Sequence, residues 1–71
     1  MTPALFQQVG EALYGPRWQA AMARDLGVQL RSVQRWLSGD REIPDIRAEL
    51  ADLLGQRRDD LVALIAELSN E

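Results

Sequence analysis

The chain has 71 residues, 46% of them hydrophobic, a net charge of -3, and neither cysteine nor histidine. That length predicts one compact domain with a modest buried fraction, which a partner subunit would help to stabilise. The missing cysteines exclude a disulfide framework and a thiolate nucleophile, and the missing histidines remove the commonest general base and metal ligand; no catalytic site, metal or cofactor is expected. The N-terminal MTPALFQQVG has no basic run, apolar core and small-residue cleavage site, and no apolar run approaches bilayer-spanning length. A cytoplasmic protein with no membrane partner is therefore the expectation. The overall acidity argues at first sight against a polyanionic partner. Its distribution reverses that inference, because residues 1–47 hold six Arg against five acids, net +1, while residues 48–71 hold two Arg against six acids, net -4. The local field of a presented face matters more than the total.

Thr2 and Pro3 form a helix-start signal, a hydroxyl that accepts from free backbone N–H groups and a ring with a preset φ. The first helix should run to about Tyr14, with Leu5, Phe6, Val9 and Leu13 as its apolar stripe, and Gly15-Pro16 should end it. A second helix, from about Arg17, carries Trp18, Ala21, Met22 and Leu26 at spacings of three and four, as core residues do. Gly27 then falls where the chain must turn sharply with positive φ. A third helix spans Gln29 to Ser38 and is closed by Gly39. After the loop Asp40–Ile43, Pro44 and Asp45 read as the start of a fourth helix bearing Ile46, Leu50, Leu53 and Leu54. Leu61, Val62, Leu64, Ile65 and Leu68 follow on a last helix from about Arg58 to Ser69.

Gly55 is ambiguous. It costs about 1 kcal/mol in a helix interior, yet positions 50, 54, 57, 61, 64 and 68 keep a four-three alternation through it, interrupted only by Arg57. Two helices with a short kink is the reading adopted. The fold class is thus all-α, a compact domain of four to five helices.

The third helix divides cleanly. At about 100° per residue, Gln34, Arg35 and Ser38 cluster around Arg31, while Leu30, Val33, Trp36 and Leu37 occupy the opposite side. Arginine can make a bidentate pair with guanine and glutamine with adenine. The bland alternative is a solvated helix face.

The segment Gln19–Gly39 resembles the helix-turn-helix of the phage-repressor-like (XRE-type) family. Gln19, Ala23 and Gly27 stand at its first, fifth and ninth positions, and Met22, Leu26, Val28, Val33 and Trp36 fill its apolar fourth, eighth, tenth, fifteenth and eighteenth. Ala23 lets the helices cross closely, Gly27 makes the turn, and Val28, Val33 and Trp36 fill the angle. The resemblance extends loosely over residues 1–54 and implies a lambda-repressor-like DNA-binding domain, leaving 55–71 as a C-terminal dimerisation or core-capping segment. It implies base reading by Gln29, Arg31, Gln34, Arg35 and Ser38, with Leu30 either packed internally or touching a thymine methyl. Gln19 would bond a phosphate at a helix N-terminus, with Arg17 and Arg41 as further phosphate contacts, the last weakened by Asp40, Glu42 and Asp45.

The implied function is a transcriptional regulator, a repressor acting on double-stranded DNA as a homodimer, with no small-molecule ligand. Leu61, Leu64, Ile65 and Leu68 are either the dimer interface or core against the first helix. A second reading is a protein-interaction module of antitoxin-like or phage-factor-binding type. An enzyme is the weakest, since the one adjacent acid pair, Asp59-Asp60, reads as N-terminal charge on the last helix.

Overall fold

Thr2 caps the first helix through its hydroxyl, which accepts from the Leu5 backbone N–H at 3.1 Å, and Pro3 occupies the first turn. This helix, α1, spans Pro3–Tyr14, and the chain goes on through α2 (Trp18–Leu26), α3 (Leu30–Ser38) and α4 (Arg47–Ser69). The computed structural model describes all of residues 1–71 and is entirely helical between its loops. Gly15 closes α1 with a positive φ of 83° and donates to the Glu11 carbonyl at 2.8 Å.

The core is a single cluster of Phe6, Leu13, Trp18, Met22, Ala23, Val33, Trp36, Ile43 and Leu50, drawn from all four helices and the loop before α4. Phe6 lies at its centre. Its ring meets Trp18 edge-on with centroids 5.3 Å apart and Trp36 at 5.7 Å, the arrangement favoured by aromatic quadrupoles. Gly10 is buried against Trp18, and a Cβ there would come within 2.0 Å of the indole. A glycine mid-helix costs backbone entropy; here it is what lets α1 and α2 approach. Leu5, expected in the α1 stripe, is instead about half exposed, since nothing packs over its edge of the helix.

Two corrections concern α4. It runs unbroken for 23 residues from Arg47 to Ser69, through Gly55 and across the 54/55 boundary, so the kink and the separate last helix are not formed. Its start also lies later than Pro44-Asp45. Ile43 is drawn into the core, Ile46 becomes the N-cap, and the Asp45 carboxylate is gripped by the Arg47 guanidinium at 2.9 and 3.2 Å. Hydrogen bonding from that guanidinium lowers the Asp45 carboxyl from its ordinary value.

A 23-residue helix is about 34 Å long, and only its first part is covered by the body. Leu50 is buried and Leu53 packs against the core, whereas every residue from Gln56 onward is exposed. The molecule is accordingly elongated, 49 × 22 × 21 Å. No helix is long and apolar enough to cross a membrane.

Candidate functional site

The turn between α2 and α3 consists of Gly27, Val28 and Gln29. Gly27 takes a left-handed φ of 71°, its N–H donates to the Arg24 carbonyl at 3.2 Å, and the Val28 N–H reaches back to the Ala23 carbonyl at 2.9 Å. This pair of bonds is a Schellman ending, which reverses the chain while satisfying the last carbonyls of α2. Ala23 is buried and Val28 packs on the core, so the corner is filled as its sequence requires.

Gln29 is the extended N-cap of α3, and its carbonyl accepts the first bond of the helix, from Ser32 N–H at 2.9 Å. On the inner side of α3, Val33 is fully buried and Trp36 nearly so; on the outer side Arg31 and Gln34 are exposed and Arg35 is half-buried. Ser38 is exposed, but its hydroxyl donates to the Arg35 carbonyl at 3.1 Å and accepts from the Asp40 N–H at 3.4 Å. It closes the helix together with Gly39, whose φ is 85°. Leu30, placed by periodicity on the apolar side, is 41% exposed, because it sits in the first turn beyond the reach of the core. It stands beside Arg31 as an apolar contact on an otherwise polar surface.

Gln19 is the second residue of α2 and half-buried, and Arg17 is the exposed N-cap with no side-chain capping bond. The first backbone N–H groups of α2 therefore have no side-chain partner from their own cap. Arg41 is exposed, and its backbone N–H donates to the Arg35 carbonyl at 3.3 Å, which ties the loop to the end of α3.

The ion pairs sort the arginines. Arg24 pairs with Asp25, Arg47 with Asp45 and Arg58 with Asp59, whereas Arg17, Arg31, Arg35, Arg41 and, on α4, Arg57 have no acidic partner. Each cation at an expected DNA-contacting position is thus uncommitted. Such groups keep their donors available for an external anion.

Compared with protein-family models, curated proteins and solved structures, the chain has no significant match.

Other parts of the surface offer less chemistry. An open groove of about 500 Å³ is lined by Met1, Glu42, Ile43, Pro44, Asp45 and Arg47, whose one arginine is already paired. No three acids come together as a metal cage. A link that the sequence pattern did not signal joins α1 to α2, where the Tyr14 hydroxyl donates to Asp25 Oδ2 at 2.6 Å. Partial burial, the acceptor and its charge push the phenol up to about 12, and the donated bond holds Asp25 below its ordinary value.

At the other end, Leu61, Leu64, Ile65 and Leu68 are exposed by 46, 55, 62 and 72%. They do not pack on α1, which rules out the core alternative within one chain. Val62 joins them at the edge, being equally open.

Proposed function

We propose that the chain is a sequence-specific DNA-binding transcriptional regulator, a repressor, that binds an inverted repeat as a homodimer. In this reading α2 and α3 form a helix-turn-helix, and α3 enters the major groove. The observation that carries it is the division of α3, with Val33 and Trp36 held in the core while Arg31, Gln34 and Arg35 carry unpaired donors outward. Arg31 and Arg35 read guanine, Gln34 reads adenine, and Gln29 and Ser38 flank them. Leu30 contacts a thymine methyl. Arg17, Gln19 and Arg41 hold phosphates. The dimer forms through Leu61, Leu64, Ile65 and Leu68, and the protein works in the cytoplasm where its operator lies.

Fluorescence-monitored binding to the DNA upstream of its own gene tests the reading. Arg31→Ala and Arg35→Ala should each cost about 1–3 kcal/mol and relax sequence preference, while Arg17→Ala and Gln19→Ala should weaken binding to all sequences alike. Wild-type affinity in both α3 variants would falsify the assignment of the reading face. The acidic, apolar end of α4 favours a second reading, a module that docks another protein. Salt separates the two, since DNA affinity must fall steeply as salt rises.

A further inference from the structure

We infer that two copies pair through the projecting halves of α4 in antiparallel fashion, with each helix tip seated against the body of the other chain. This rests on the homodimer part of the reading above and is independent of DNA.

The first argument is steric. At about 100° per residue, Leu61, Leu64 and Leu68 project from the same side of α4 as Leu50. Leu50 is buried by its own body on that side, whereas the other three lie beyond the body and are bare. Two helices pairing in parallel across this face would bring both bodies into the space between them at one level. An antiparallel pair places the bodies at opposite ends.

The second argument is charge. Keeping the alternating seam in register sets Leu61 opposite Leu64 of the second copy and Arg57 opposite its Leu68. Arg57 has no ion pair, and Glu67 and Glu71 at the tip have none either. Antiparallel pairing brings Arg57 of each chain between Glu67 and Glu71 of the other and opposes the two helix dipoles. Parallel pairing sets Arg57 against its own copy, and Glu71 likewise. The seam residue that interrupts the apolar pattern thereby specifies direction.

The third is shape. Between the ends of α1 and α2 and the middle of α4 lies a shallow cleft of about 240 Å³, lined by Leu13, Leu53, Gln56 and Arg57 together with the acids Asp25 and Asp60. It opens at the level that this register assigns to the incoming tip.

The chain has no cysteine, so introduced thiols report without interference. Mixing Arg57→Cys and Leu68→Cys chains under mild oxidation should give a disulfide between the two variants, with neither variant linking to itself. Arg57→Glu should weaken dimerisation in sedimentation up to about fivefold, as expected of a solvent-accessible ion pair, and adding Glu71→Arg in the same chain should restore it. Self-linking of Arg57→Cys, absence of the mixed product, or a monomer at micromolar concentration overturns the pairing. A monomer that still reads DNA would sink this inference and leave the recognition face standing. An antiparallel dimer without DNA affinity would do the reverse.

Discussion

Gly10 and Gly55 are both helical glycines, yet the structure gives them opposite roles. At Gly10 a methyl group would lie 2.0 Å from the Trp18 ring, which is itself buried and wedged against Phe6. Alanine favours a helix over glycine by about 1 kcal/mol, but overpacking a fixed ring costs about 1–3 kcal/mol or more. Gly10→Ala should therefore lower the unfolding midpoint in thermal melts. At Gly55 the nearest atom to an added methyl is the far end of Arg58 at 3.8 Å. Gly55→Ala should stabilise by about 0.5–1 kcal/mol, and a loss of stability there would mean that the helix is broken at that point after all. Tyr14 offers a third test. It is the one tyrosine of the chain, so tyrosinate absorbance reports it alone. Its midpoint should lie near 12 and fall in Asp25→Asn, which removes the charged acceptor but leaves burial, the largest single cause, in place. The sign for stability follows. The raised phenol contributes fully below its ordinary 10.0 and is lost as pH climbs towards 12, while the lowered Asp25 contributes above 3.8 and is lost as acid protonates it. A midpoint in wild type that Asp25→Asn does not move would exclude the pair.

Elements whose ends are set by local chemistry were legible in the sequence. Thr2-Pro3, Gly15, Gly27 and Gly39 fix the limits of α1 to α3, and each has the cap or the left-handed φ that its residue type calls for. The alternation of α3 also placed Val33 and Trp36 inward correctly. What failed depended on distant partners. Ile43 is buried by packing that no periodic pattern announces, and by pulling the loop inward it delays α4 to Arg47. Gly55 carries a local penalty of about 1 kcal/mol, too small to break a helix whose neighbours on both sides favour it. Leu5 and Leu30, expected on the apolar sides of α1 and α3, stand exposed, since a period says which way a side chain points and not whether anything covers it. For the same reason the sequence alone left Leu61 to Leu68 undecided between core and interface.

At the scale of the whole molecule, the longest run of exposed apolar side chains lies on the half of α4 that leaves the body, where from residue 56 onward two Arg stand against four acids, net -2, and the uncommitted Arg17, Arg31, Arg35 and Arg41 lie before it, in residues 1–55 that are net -1. Under the proposed function, those four arginines would give one copy limited purchase on DNA, and two-fold repetition would double them. If two copies pair in the antiparallel register inferred above, that register would set the scale of the repetition. Its centre falls between residues 62 and 63, so the two Leu50 positions, where the bodies begin, lie about 38 Å apart along the helix pair at about 1.5 Å per residue. Half-sites one turn apart on B-DNA are separated by about 34–36 Å. DNA selected from a random pool should accordingly be an inverted repeat with half-site centres about one helical turn apart, and Ile65→Asp, which alters an exposed position, should leave the monomer folded while abolishing the concentration dependence of its melting temperature. The same variant should lose affinity for the full site far more than for a single half-site, since only the coupling between copies is removed. Selection of a lone half-site or a direct repeat, or equal losses on both DNAs, would mean that the helix pair does not set the geometry of binding.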